Sequence, residues 1–374
     1  MMWMLVWAAY IGGYPVGTDE DAKPAGWALA ADPGPAAVRF PEQFPYTELA
    51  GIAPRKLYYP AGLTSFLIAH LKLNRNDNFD SLLVGNLTTG KPVGVVRNLE
   101  ASGRPWQLSY RAALSGDGRT LAVHDSLGKV IRLIEVKTGK ERRKLPCADT
   151  VSLVFARPDR LLAVRYAAPA TVTVWDLAAG KEAAKLPLPS ECEDRAGHLT
   201  VSPGGRFLAV AASADNYAGS IALFDLDRGT AAGTLWPNGR GQNSARIQAL
   251  AFAPTGTELA AVVSIPDRVN INSYLPTLIV WNTANGQEAT RVPIERGNRG
   301  KLLVFGSEPL QWFPDGQAFL IDHRMVTNRA DGKLVEFLEY SGDPDAYLAA
   351  KVLDDHRLLI STDGNKLVVR RVQR

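Results

Sequence analysis

Five histidines (His70, His124, His198, His323 and His356) are the side chains of this 374-residue chain best suited to proton transfer or metal ligation near neutral pH. Two sit beside an acid at the end of an apolar run: His124 before Asp125, and His323 after Asp322. A metal centre needs three or four ligands close together, and the other three histidines fall at unrelated registers. The two pairs therefore read first as strand-end residues that hydrogen-bond a loop. Paired carboxylates, Asp354-Asp355 and Glu191/Glu193-Asp194, stand in turn-like stretches and read as solvated charges. No Gly-x-Ser-x-Gly elbow marks a nucleophile, and no glycine-rich phosphate loop leads from a strand into a helix. Cys147 and Cys192 lack Cys-x-x-Cys or zinc spacing; they read as separate thiols in successive links, with a disulfide between neighbouring loops as the alternative. No catalytic residue, cofactor or metal is expected.

Side chains suited to binding are more numerous. Irregular polar stretches interrupt the chain at Asn74-Arg-Asn-Asp-Asn78, Ser213-Ala-Asp-Asn-Tyr217, Trp236-Pro-Asn-Gly-Arg240, Pro266-Asp-Arg-Val-Asn-Ile-Asn-Ser-Tyr274 and Glu295-Arg-Gly-Asn-Arg299. Functional groups concentrate on loops held by a rigid scaffold, and Arg and Tyr are frequent interface anchors. The candidate binding residues are Asn76, His124, Arg165, Tyr217, Arg240, Arg268, Tyr274, Arg299 and His323. The plainer alternative is that these loops are merely variable. Net charge is +4, with −3 in the first 36 residues, so +7 is spread over the rest. That is too dilute for a nucleic-acid footprint, which needs lysines and arginines clustered on one face.

The elements that must carry these loops repeat. Six stretches join a β-rich run to a turn ending in glycine. They are Asn86-Leu-Thr-Thr-Gly90, Glu135-Val-Lys-Thr-Gly139, Asp176-Leu-Ala-Ala-Gly180, Asp225-Leu-Asp-Arg-Gly229, Asn282-Thr-Ala-Asn-Gly286 and Asn328-Arg-Ala-Asp-Gly332. Their glycines are 49, 41, 49, 57 and 46 residues apart. A second turn recurs as Ser115-Gly-Asp-Gly118, Ser202-Pro-Gly-Gly205, Ala253-Pro-Thr-Gly256 and Phe313-Pro-Asp-Gly316, where Pro presets φ and Gly accepts a positive one. The run after it is continuously apolar, as in Phe207-Leu-Ala-Val210, so both of its faces are covered. The next run alternates, as in Thr171-Val-Thr-Val-Trp175, as suits a place nearer a rim. Trp175, Phe224 and Trp281 occupy one register and read as core. Four strands per unit at this period predict an all-β, seven-bladed β-propeller of four-stranded antiparallel blades. The seventh unit ends at Arg374, three strands in, so the segment Ala37-Val-Arg-Phe40 is expected to supply a closing N-terminal strand, the alternative being a three-stranded seventh blade.

Thr171-Val-Thr-Val-Trp-Asp-Leu-Ala-Ala-Gly-Lys181 resembles the closing half of a WD40 repeat, and Ile221-Ala-Leu-Phe-Asp225 and Leu278-Ile-Val-Trp-Asn282 are near variants. Gly-His dipeptides do not recur at the heads of the units, Gly197-His198 being the single instance, so the resemblance is to the looser, bacterial-type WD40-like propellers of the WD40/YVTN superfamily. It implies a non-enzymatic scaffold, monomeric, that docks a protein or peptide on its loop-rich face. The resemblance also admits the runner-up, a lactonase- or quinoprotein-like enzyme or redox module with a site at the central channel, since fold alone does not select between them.

Three regions are expected. Residues 1–18 carry no charge and begin with the apolar run Met1–Ile11, read as a truncated membrane anchor, an uncleaved signal-anchor or an apolar tail packed on the domain. Membrane association or export is thus expected as readily as a cytoplasmic place. Residues 19–36, acidic and then rich in Ala, Pro and Gly, read as a linker. Residues 37–374 form the propeller.

Overall fold

The computed structural model describes residues 29–32, 54–58, 66–71, 81–97, 112–125, 128–147, 152–165, 169–188, 196–212, 219–239, 245–266, 274–295, 310–338, 350–354, 356–361 and 367–373. They contain strands and no helix, arranged as six four-stranded antiparallel sheets and one three-stranded sheet. In every sheet the strands lie in chain order, so each is a meander, and seven such blades follow one another along the chain. Blade two is representative: Ala112–Leu114, Thr120–Asp125, Val130–Glu135 and Glu141–Pro146. Blade seven has Ala350–Asp354, Arg357–Ser361 and Leu367–Arg371 among the described residues. The closing segment expected at 37–40 lies outside the described residues.

From blade two to blade seven, the first strand of each blade neighbours the first strand of the next, which sets these strands around the axis. The fourth strands form the rim, as the largely exposed Glu141–Pro146 and Lys181–Pro187 demonstrate. The third strands lie nearer the rim, as their alternation suggests, beside the fourth strands in blades one to six; in blade four every residue of Ser220–Asp225 is nonetheless buried. In blade three a fourth strand covers the third, so the alternation in Thr171–Asp176 separates two packed faces.

Side chains alternate across a strand with period two, so a continuous apolar run feeds two cores at once. In blade four, Leu208 and Val210 join the cluster shared with blade three, while Phe207, Ala209 and Ala211 join the one shared with blade five. Equivalent clusters fill the seams of blades one and two, two and three, five and six, and six and seven. Trp175, Phe224 and Trp281 are core, as read from the sequence, and each packs toward the preceding blade.

Both recurrent turns form as their residues dictate. In the third-to-fourth-strand turn the glycine N–H donates to the carbonyl four residues back, as from Gly180 to Asp176 (2.8 Å), with the glycine at φ 67°. The leading Asn or Asp accepts turn N–H groups, for example Asn86 Oδ1 from Thr88 (2.8 Å). A register shift then opens the fourth strand in blades one to six, a bulge at one place in each.

Candidate functional site: the loop face

An up-and-down blade puts its first-to-second and third-to-fourth turns at one end and its second-to-third loops and inter-blade links at the other. The first end is the turn face and the second the loop face. Of the nine candidate residues, Asn76, Tyr217, Arg240, Arg268 and Arg299 lie outside the described residues, and His124, Arg165, Tyr274 and His323 fall on or near the loop face. These four divide into two kinds.

His323 is only 4% exposed and serves a seam. Its blade-six strand, Ala318–Ile321, turns sharply into Met325–Asn328, with Asp322 at φ 52° and His323 at φ 58°. A positive φ costs a side-chain-bearing residue steric energy, so the surroundings must hold this turn. They do so through blade seven: His323 Nδ1 lies 2.9 Å from the Ala350 carbonyl oxygen and 3.3 Å from the Ala350 nitrogen. Gln311 of blade six reaches the same strand, donating from Nε2 to the Ala350 oxygen (2.9 Å) and accepting at Oε1 from the Val352 N–H (2.9 Å). His124, 6% exposed, lies within its blade-two strand opposite Ile131. Aligning the two blades by their first-strand pairs, Leu114 with Leu121 and Trp312 with Phe319, sets His124 against Asp322 and Asp125 against His323. The two His–Asp pairs are thus in opposite order. Asp125 accepts the Gly128 N–H (2.9 Å) and caps its own loop. Among the described residues, no three His, Cys, Asp or Glu side chains are grouped so as to hold a metal ion.

Arg165 and Tyr274 are the other kind. Arg165 ends the second strand of blade three, and its Nη2 donates to the Pro169 carbonyl (2.8 Å), bracing the loop it begins. Tyr274 stands on the most distinctive element of this face. In blade four the second and third strands pair over six positions, from Phe207–Asp225 to Ala212–Ser220. In blade five, Glu258–Pro266 and Tyr274–Asn282 pair over nine, ending with Ser264–Pro276, Ile265–Leu275 and Pro266–Tyr274. At the ordinary strand rise the three extra pairs carry the paired strands about 10 Å further than those of blade four. Tyr274 (45% exposed) and Leu275 (44%) occupy its end, and they are the large apolar side chains left exposed among the described residues. Leu275 escaped sequence reading because strand patterning gives no sign that a hairpin outruns its neighbours. What the arrangement can do is present an apolar, aromatic pair at the end of long paired strands, a geometry for docking another macromolecule.

No family model and no curated protein matches this sequence. Solved structures do. Kuenenia stuttgartiensis hydrazine synthase matches with TM-score 0.60 at 14% identity, over 86% of this chain and 96% of that one. A chain of the mitotic checkpoint complex matches at 0.55 and 14%, over 94% and 100%. The β-propeller domain of Myceliophteria thermophila Cps50 (Swd1) matches at 0.58 and 13%, over 86% and 98%. At such identities the likeness is one of architecture, and the seven antiparallel sheets in chain order agree with it: the chain is a seven-bladed β-propeller.

Proposed function

We propose that the propeller is a non-catalytic platform that docks a protein or peptide on its loop face, with the blade-five hairpin as the projecting anchor. The observation that carries this reading is the pair Tyr274 and Leu275 at the end of the over-long hairpin. An apolar pair kept in water on an otherwise well-buried molecule has a use when a partner covers it. Two of the similar structures are described as a checkpoint complex and as a propeller domain, which is in keeping with a binding role. The hydrazine synthase likeness is the reason to assay the enzyme alternative alongside.

The test is affinity capture on the full chain and on a Tyr274→Ala/Leu275→Ala variant. The expected result is a specific partner whose affinity falls at least about 30-fold in the variant, the loss typical of a central anchor, with the melting temperature unchanged. An identical partner set at undiminished affinity would refute the proposed anchor. Turnover of a substrate by the isolated chain would favour the enzyme reading.

A further inference from the structure

Blades two, four, five and six share one first-to-second-strand turn. The glycines Gly118, Gly205, Gly256 and Gly316 donate to the carbonyls of Ser115, Ser202, Ala253 and Phe313, each at φ between 69° and 78°. In blade two the residue before that glycine is Asp117. Its Oδ1 accepts from the Ser115 hydroxyl (2.6 Å) and from the Arg119 N–H (3.1 Å), while Ser115 Oγ accepts from the Thr120 N–H (2.9 Å). Blade six has Asp315 there, accepting from the Gln317 N–H (3.0 Å), and blade five has Thr255.

Blade four has Gly204, and the turn has no carboxylate of its own. The missing group arrives from 170 residues away. Asp32 Oδ2 accepts from the Ser202 hydroxyl (2.5 Å) and from the Arg206 N–H (2.8 Å), and Ser202 Oγ accepts from the Phe207 N–H (2.8 Å). Atom for atom this is the blade-two pattern, with the acid supplied by another part of the chain. The rest of the segment is read too. The Gly204 N–H donates to the Asp32 carbonyl (3.1 Å), and the Leu29 N–H donates to the Thr283 carbonyl of blade five (2.8 Å). Leu29 is buried in the cluster of blades four and five with Phe207, Leu259 and Trp281. Gly204 has no positive φ to explain its glycine. A Cβ built there would run into the Asp32 carboxylate, and one built on Gly256 would run into the Asp32 backbone. Gly204 therefore makes room for a guest, and Gly256, which its positive φ already requires, leaves room beside it.

We propose that the groove between blades four and five on the turn face is a recognition site for an extended Leu-x-x-Asp segment, and that residues 29–32 of this same chain are its ligand, held in cis. The apolar seam takes the leucine and the acid-deficient turn takes the carboxylate. A tethered ligand acts at an effective concentration of about millimolar, so the site is normally filled.

The probe is a fluorescent synthetic peptide carrying residues 25–36. Against the full chain bearing Leu29→Ala/Asp32→Ala the peptide is expected to bind, and against the unaltered chain at least about tenfold more weakly, because the tethered segment competes. An Asp32→Ala peptide should lose about tenfold or more, as for loss of a hydrogen-bonded charge. Adding Gly204→Asp to the double variant restores a resident acid to the turn and should abolish binding. No binding by the double variant, equal binding of the altered peptide, or binding that survives Gly204→Asp would each overturn the proposal. Should the double variant not fold, amide exchange in the single variant Asp32→Ala decides. Exchange at the Arg206 N–H should rise at least about tenfold and be restored by Gly204→Asp; unchanged exchange overturns the proposal.

Discussion

At the scale of single residues, the glycines of the third-to-fourth-strand turns illustrate how one constraint carries different penalties in different places. Gly229 (φ 65°) and Gly332 (φ 71°) have nearly the same backbone. A Cβ on Gly229 would find the Ala184 Cβ at a comfortable 3.8 Å, whereas one on Gly332 would strike the Pro293 carbonyl of blade five. Gly229→Ala should therefore carry only the left-handed strain, about 1–2 kcal/mol. Gly332→Ala should cost at least about 2 kcal/mol more, since the seam must open as well. Denaturant titration of the two variants checks the difference, and equal losses would refute the steric argument. The turn glycines were legible in the sequence because the turn needs them locally. Gly204 was legible only as one more turn residue, since its reason lies with Asp32.

At the scale of the element, blades are joined by groups that imitate a missing strand rung. Gln311 offers a donor and an acceptor in one side chain, and so satisfies a carbonyl and an N–H of the neighbouring inner strand. Replacing it with Met keeps much of the volume and removes both bonds. Gln311→Met should lower unfolding free energy by about 1–3 kcal/mol, as expected for the buried Val352 N–H left unsatisfied while the Ala350 oxygen keeps its contact with His323. A loss below about 0.5 kcal/mol, within the range of an inconsequential surface change, would show that the amide is dispensable. The strands themselves were readable from composition: the apolar runs, the Pro/Gly turns and the repeated aromatic register all appear where expected. Strand length was not. Nothing in Pro266–Tyr274 as a string of residues distinguishes a long loop from a hairpin that continues pairing past its neighbours' ends, because that depends on where the neighbouring blades stop.

At the scale of the molecule, arginine stitches one blade to the next. Arg143 donates to the Leu177 carbonyl across blades two and three (3.0 Å), and Arg157 and Arg160 grip Asp227 across three and four (3.0 and 2.7 Å). Arg291 reaches the Pro237 carbonyl across five and four (2.5 Å), Arg329 pairs with Glu258 across six and five, and Arg370 with Glu336 across seven and six (2.5 Å). Six of the chain's 42 Lys and Arg side chains are thereby committed to contacts between blades. The seam of blades three and four should show it in acid. Burial alone would raise the pKa of Asp227, but its bonds to Arg160 and Arg157 outweigh this and leave it below the usual carboxylate value. The same balance, burial against the Arg206 bond and backbone N–H groups, lowers that of Asp225. A depressed folded-state pKa gives stability that is present above the unfolded value, near 4, and is lost as pH falls through the folded one. Wild-type stability should therefore drop on acidification below about pH 4, and an Asp225→Asn/Asp227→Asn chain should start lower and show a flatter profile. Parallel profiles would place the acid-sensitive groups elsewhere.

The sequence by itself determined everything that rests on short-range spacing. The period, the two turn types, the apolar runs and the aromatic register all follow from constraints acting within a few residues, and they suffice to specify seven antiparallel blades. Only the tertiary structure decided what comes together from afar. It buried His323 against blade seven, extended the blade-five hairpin three pairs beyond that of blade four and seated Asp32, in a stretch composed like a linker, in a turn 170 residues along the chain. The physical reason is that a turn or strand is selected by its own backbone preferences. A seam is selected by the complementarity of two surfaces, and that exists only once both have folded.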